Sequence, residues 1–236
     1  MLFSCLHGTT SVNHSAETFA GNAKHATMPA VQPVIVQHPL AQCHMVVIRA
    51  QDTPAHQFRR HLNLLGRMLF LEATRELPLR EITVCTPLMQ TVGAQLARPV
   101  VFVPILRAGL GLLDGILPLV PEASVAHVGI KRDEATALPL PYYANLPDHL
   151  ATADVFLLDP MLATGGSACE AARQLKAAGA TRITMICVVS CPEGLSAMQR
   201  MHPEVPIVTA AIDHGLNERN YIVPGLGDAG DRYFGT

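Results

Sequence analysis

Val155-Phe156-Leu157-Leu158-Asp159-Pro160-Met161-Leu162-Ala163-Thr164-Gly165-Gly166-Ser167 decides how the rest of the chain is read. An apolar run of strand type ends at Asp159 and Pro160, a Thr-Gly-Gly-Ser turn follows, and Ala168 to Ala178 repeats at helical spacing. At such a strand-turn-helix junction the N–H groups of a glycine turn converge with the positive end of a helix dipole, which suits a phosphate. Gly166 is followed by Ser167 and not by the lysine of a P-loop, so a single phosphate group is the expected guest. Asp159, placed just before the turn, cannot bind that phosphate. It can accept hydrogen bonds from sugar hydroxyls or hold a metal ion, and together these parts suggest a sugar phosphate.

Pro99 to Ile105 is a second apolar run, followed by Leu106-Arg107-Ala108-Gly109-Leu110-Gly111. Uninterrupted apolar strands suit a parallel sheet buried on both faces. Arg107 holds the place after its strand that Asp159 holds after its own, and it either pairs with an acid such as Asp114 or clamps a diphosphate. Helices are predicted over Leu110 to Leu119 and Glu193 to Met201, and strands over Ser124 to Ile130, Ile183 to Val189 and Val205 to Ile212. Gly179 is the C-cap of the helix after the glycine turn. This alternation predicts an α/β fold with a doubly wound, mainly parallel sheet, whose ligands bind outside the carboxyl ends of the strands. Arg107, Arg132, Asp159 and Asp213 all follow strands and are expected to converge on one crevice. Asp133 to Asp148, which carries Tyr142, Tyr143 and three prolines, is expected to form a protruding arm or flap.

Upstream, Val31 to Val36 and Met45 to Ile48 have extended character. Asp52-Thr53-Pro54 starts a helix, with Thr53 as N-cap and Pro54 at the first position. Its apolar face is Phe58, Leu62, Leu65, Leu69, Ala73 and Leu77, it ends near Pro78, and Arg59, Arg60 and Arg67 form a solvated face or line an anion site or interface. Residues 1–30 are expected to be a disordered leader and residues 31–236 one domain. The leader is acid-poor like a transit peptide, but it lacks arginine. A hydrophobic fraction of 49 % implies a large buried core, and a formal charge of −2 offers no general attraction to nucleic acid or an anionic membrane. No run reaches the roughly 20 apolar residues of a membrane span. The six cysteines contain no C-x-x-C pair and read as reduced core residues, which fits a cytoplasmic protein. His127, His202 and His214 stand alone and read as structural or exposed.

From Asp213 the alternation stops. Four glycines between Gly225 and Gly235 permit close backbone approach to a ligand, while Tyr221, Ile222, Val223, Tyr233 and Phe234 are too apolar for a solvated tail, so docking on the sheet is expected. Backbone N–H and C=O groups exposed in such a turn can read the amide-like edge of a planar ring.

The runs Pro104 to Gly111 (Pro-Ile-Leu-Arg-Ala-Gly-Leu-Gly), Asp159 to Ser167, and Pro224 to Arg232 (Pro-Gly-Leu-Gly-Asp-Ala-Gly-Asp-Arg) closely resemble uracil phosphoribosyltransferases, and the similarity extends from about Val34 to the end. The resemblance implies a type I phosphoribosyltransferase fold with a flap and a C-terminal base-binding segment. It implies conversion of uracil and phosphoribosyl diphosphate to UMP and diphosphate in pyrimidine salvage, with Mg2+ held mainly through the diphosphate. By the same resemblance, Asp159 to Ser167 bind the phosphoribosyl donor, with Ala163 to Ser167 around the 5′-phosphate. Arg107 and Arg132 contact the diphosphate. Ile222, Gly227, Asp228 and Ala229 hold uracil, and Asp228 also faces the donor. Arg107, Arg132 and Asp228 are the catalytic candidates. A homo-oligomer is implied as well, with GTP as a candidate effector. Lys131 (usually aromatic), Asn145 (usually basic) and Gln42 to Met45 (usually His-Lys-Leu) depart from the family pattern. The competing readings are a phosphoribosyltransferase for another base and a nucleotide-sensing RNA-binding regulator on the same fold.

Overall fold

The computed structural model describes residues 32–132 and 139–236, apart from the side chain of Arg132; the expected leader and Cys5 lie outside the described residues. After β1 (Val34–Ile35), His38 Nδ1 accepts the Leu40 N–H at 3.1 Å and Pro39 takes the first position of α1 (Pro39–Arg49). The buried residues Ala41, Met45 and Ile48 recur at helical spacing, which overturns the extended reading of Met45 to Ile48. A short apolar run has no period of its own, and the cap with its proline supplies the missing signal.

In α2 (Ala55–Ala73) Pro54 is the N-cap, one residue later than expected, because the Thr53 hydroxyl donates to Val47 O at 2.6 Å instead of capping. Phe58, Leu62, Leu65 and Leu69 are buried as expected, but the helix stops before Leu77. Arg59 donates to Tyr233 O at 2.8 Å and Arg67 to Gly115 O at 2.9 Å, so these two bind backbone carbonyls, while Arg60 is exposed. Next, β2 (Leu79–Cys85) and β3 (Gln90–Leu96) pair as an antiparallel hairpin exposed on both faces, a segment with no sequence assignment.

The strand-helix alternation begins with β4 (Val100–Leu106) and α3 (Leu110–Ile116), then β5 (Ser124–Val125) and β6 (His127–Arg132). The described part of the expected flap is β7 (Pro139–Asn145), which runs antiparallel to β6 at the sheet edge, where Pro139 and Pro141 are tolerated. There follow β8 (Asp154–Leu158), β9 (Met161–Leu162), α4 (Gly166–Ala177), β10 (Ile183–Ile186), β11 (Val189–Ser190), α5 (Pro192–Met201), β12 (Ile207–Thr209) and β13 (Ala211–Ile212). Gly179, at φ 95°, follows the end of α4. The main sheet runs β1-β12-β10-β8-β4-β6-β7, with β5 also on β4, and only β6 and β7 pair antiparallel. The two strands expected over Ile183 to Val189 and Val205 to Ile212 each break in two. Their second halves, β11 and β13, join β9 in a small parallel sheet.

Residues alternate between the two faces of the strands and so feed two cores. On one side Phe70 of α2 packs edge-on against Phe102 and Phe156, with ring centroids 5.3 and 5.0 Å apart. On the other, Ala172 and Leu175 of α4 and Met198 of α5 pack with Val101 and Val155. The chain ends in the hairpin of β14 (Gly215–Leu216) and β15 (Ile222–Val223), then α6 (Ala229–Phe234). The tail docks: Ile222, Leu226 and Ala229 are buried in the same core as Phe102 and Phe156 of the sheet, and Tyr233 is buried against Gly111 of α3, its hydroxyl hydrogen-bonded to Asp114. Asp114 is thus taken by Tyr233 and is not the partner of Arg107.

The five described cysteines are unpaired. Cys169, Cys187 and Cys191 are buried, whereas Cys43 and Cys85 are exposed and do not belong to the core. His202 is buried with Nε2 2.9 Å from Cys169 O, and His214 is exposed, so both are structural or surface groups. Among the described residues no helix is long and apolar enough to cross a membrane.

Candidate active site

Parallel pairing of β4 with β8 sets Pro104 beside Leu158, so Arg107 and Asp159 leave adjacent strands at the same edge. β6 lies on the other side of β4, with Leu106 beside Gly129, and Arg132 closes it at that edge too. Three of the four residues expected to converge therefore do so at the level of the backbone. Asp213 does not. It is buried, takes a bidentate ion pair from Arg49 (2.8 and 2.7 Å) and accepts the Gly225 N–H at 2.8 Å. β13 ends two strand positions beyond β9, and there the C-terminal loop at Gly225 buries the carboxylate.

A cavity of about 340 Å³ opens at this edge. Asp159, Met161 and Ala163 form one wall; Ile222, Gly227, Asp228 and Ala229 form the opposite one, with Ala108 beside them. A smaller cavity of about 80 Å³ continues along the glycine turn, lined by Asp159 and residues 161–168. Here the first N–H groups of α4 have no intrahelical partner. The turn is held from behind by α5. Cys191 Sγ lies 3.1 Å from Ala163 O, and Gly194 comes so close that a Cβ there would stand 2.5 Å from Ala163 O. Gly165, at φ 80°, could take a Cβ only 2.7 Å from that of Ala197. Gly165→Ala is expected to destabilise the fold by about 1–3 kcal/mol and to weaken phosphate-ester binding more than base binding. Denaturant unfolding and ligand titration measure the two effects separately.

Among the described residues Asp159 accepts only the Met161 N–H, at 3.3 Å. Burial pushes its carboxyl up to about 7; the Met161 N–H opposes that shift and the nearby Asp228 carboxylate adds to it. Asp228 caps α6 by accepting the Asp231 N–H at 2.9 Å. Asp231 in turn pairs with Arg107 at 3.0 Å, and the Arg107 guanidinium lies 5.7 Å from the Phe234 ring centroid. Leu162, Thr164, Gly166 and Ser167 line the smaller cavity as expected, whereas Pro160 is buried and lines neither cavity. The Arg132 side chain lies outside the described part.

Sequence reasoning missed one wall. Arg219, Asn220 and Tyr221 also line the main cavity, on the turn between β14 and β15. Asn217 builds that turn: its Oδ1 accepts the N–H groups of Arg219 (3.0 Å) and Tyr221 (2.9 Å). The signal was the Asx-turn residue Asn217 directly before a charged pair.

A sequence model described as uracil phosphoribosyltransferase matches residues 34–236. The chain belongs to the uracil phosphoribosyltransferase family. Relatives include the uracil phosphoribosyltransferases of Streptococcus mutans and of Thermoanaerobacter sp., each 49 % identical over 203 residues, spanning 86 % of this chain and 97 % of the relative. Among solved structures, the AQ2163 protein of Aquifex aeolicus superposes with a TM-score of 0.82 at 40 % identity, covering 86 % of this chain and 98 % of its own. An adenine phosphoribosyltransferase from Trypanosoma brucei, solved with AMP, pyrophosphate and ribose-5-phosphate, superposes at 0.53 and 14 % identity over 82 % of this chain and 88 % of its own, a similarity of fold. Within the uracil phosphoribosyltransferase fold, two of the three departures fall on the edge hairpin: Lys131 pairs with Leu140 and Asn145 with His127. The third, Gln42 to Met45, lies on α1, where Gln42 and Cys43 are exposed and Met45 is buried.

Proposed function

We infer that this uracil phosphoribosyltransferase family chain joins uracil N1 to the anomeric carbon of phosphoribosyl diphosphate, forming UMP and releasing diphosphate. One observation carries the assignment of roles: a single crevice has an anion-binding turn at one end and, facing it, the backbone of Gly227 to Ala229. The N–H groups of Ala163 to Ser167 and the α4 dipole bind the 5′-phosphate, and Asp159 accepts the ribose hydroxyls. Ile222, Gly227 and Ala229 present backbone groups to the amide-like edge of uracil, and Asp228 reaches from the base side toward the sugar.

As the bond from the anomeric carbon to diphosphate oxygen breaks, positive charge grows on the sugar and negative charge on the leaving group. Arg107 and Arg132 stabilise the latter. The bond from uracil N1 to that carbon forms as the N1 proton leaves. Among the described residues no three His, Cys, Asp or Glu side chains gather into a metal cage. The hard oxygens of Asp159 and Asp228 fit an Mg2+ ion that is held chiefly by diphosphate and water. Such an ion would neutralise charge on the leaving diphosphate.

The test is diphosphate release from phosphoribosyl diphosphate with uracil, orotate, hypoxanthine or adenine in turn, with and without excess EDTA. Release with uracil alone, abolished by EDTA and restored by Mg2+, is the expected result; faster release with another base would overturn the assignment. A cytoplasmic homo-oligomer completes the reading, supported by the unpaired cysteines and by Leu79, Leu88, Met89 and Val92, which the β2–β3 hairpin exposes for a second copy to cover. GTP remains the candidate effector by family resemblance.

A further inference from the structure

The base-reading wall of the crevice has no regular secondary structure between β15 and α6, so something else must fix it. Two arginines do. Arg49, at the last turn of α1, donates through Nη1 to Gly225 O at 2.7 Å while both its terminal nitrogens hold Asp213, and Asp213 Oδ2 accepts the Gly225 N–H at 2.8 Å. The peptide groups flanking Gly225 are thus gripped on donor and acceptor sides at once. Arg232, on α6, donates to Leu226 O at 2.7 Å and to Ala50 O at 2.6 Å, and its guanidinium lies over the Phe58 ring at 4.5 Å. It therefore fastens the next residue of the loop to the carbonyl end of the same helix. Gly225, at φ 60°, would bring a Cβ to 2.1 Å from Ile222 O, so the loop folds tightly back on β15 between these two clamps.

We propose that the Arg49–Asp213 pair is a positioning device for base recognition: it holds the Gly225 peptide groups so that Gly227 and Asp228 present a fixed edge to uracil. Neither side chain lines the cavity, so both act through the loop. Asp213 has only a small accessible fraction, 6 % of its side chain, and Arg49 has 25 %, so the pair is shielded from the screening that makes exposed ion pairs weak. Its geometry is also specific. The planar guanidinium fork makes two bonds to the carboxylate and one to a carbonyl, which a lysine ammonium on a flexible stem cannot reproduce together. The bland alternative is an ion pair that merely ties α1 to the tail and contributes to stability alone.

This inference rests on the uracil reading, so the parent enzyme is assayed alongside as the control for that reading. If the parent fails to turn over uracil, the proposed function fails; if the parent works and the variants match it, the positioning role fails. For Arg49→Met the expected result is a KM for uracil raised roughly 10- to 100-fold, with the KM for phosphoribosyl diphosphate within about twofold of the parent. Arg49→Lys is expected to recover only part of the loss, and it carries the test if the methionine variant does not fold. Asp213→Asn keeps an acceptor for the Gly225 N–H and should fall between parent and Arg49→Met. Equal weakening of both substrates, or a lower melting temperature with unchanged KM for uracil, would overturn the proposal and leave the pair a structural tie.

Discussion

Arg107→Ala is expected to lower kcat roughly 10²- to 10³-fold while leaving the protein folded. The two halves of that expectation have separate grounds. Among the described residues Arg107 makes one ion pair, with Asp231, and its side chain is 58 % exposed. A pair so open to water contributes at most about 1 kcal/mol, so denaturant midpoints of parent and variant should nearly coincide. The catalytic loss comes from charge that develops only as diphosphate departs, which a guanidinium at the carboxyl edge of β4 meets without reorganising solvent. Arg107→Lys keeps the charge but loses the fork, and should retain an intermediate rate. Turnover within threefold of the parent in a folded Arg107→Ala variant would remove Arg107 from the mechanism.

The parts of this site that were legible in the sequence share one physical property. Strands buried on both faces appear as unbroken apolar runs, so Val100–Leu106 and Asp154–Leu158 announced both themselves and the residues that leave their ends, Arg107 and Asp159. The glycine turn was legible because an anion site made of backbone N–H groups needs glycine in a fixed place. Elements decided by partners distant in sequence were not. The β2–β3 hairpin has no buried face to impose an alternating pattern. Met45 to Ile48 looked extended because its helix is set by His38 and Pro39 outside the run. Asp213 follows a strand as Asp159 does, yet it turns away to meet Arg49, which lies 164 residues earlier. Spacing along one chain carries no signal for such a pairing.

Asp159→Asn should raise stability at pH 8 and lower turnover together. Its carboxyl is pushed up to about 7 by burial first, with the Asp228 charge adding to the shift against the Met161 N–H. A folded-state pKa above the unfolded value of 3.8 means that the native state binds this proton more tightly than the unfolded chain does. The resulting stabilisation is full below pH 3.8 and is lost as pH rises through about 7. Above that, the ionised group costs up to about 4 kcal/mol, from roughly three pKa units at 1.36 kcal/mol each. Water reaching the half-buried residue reduces this to about 1–3 kcal/mol. Asparagine carries no proton to lose, so the variant should lack the decline that this group gives the parent between about pH 4 and 7. Under the proposed role the ionised form also does the work, because a carboxylate offers charge and two acceptor oxygens to the ribose hydroxyls, whereas an amide is neutral and puts an NH2 donor in place of one of them. For the parent, kcat/KM for phosphoribosyl diphosphate should therefore climb with pH to a plateau above about 7, while in the variant it should lie roughly 10²-fold lower without that inflection. A variant less stable than the parent at pH 8 would place the charge cost elsewhere. An unchanged inflection in its pH profile would assign the titrating group to another residue, with Asp228 the first to examine.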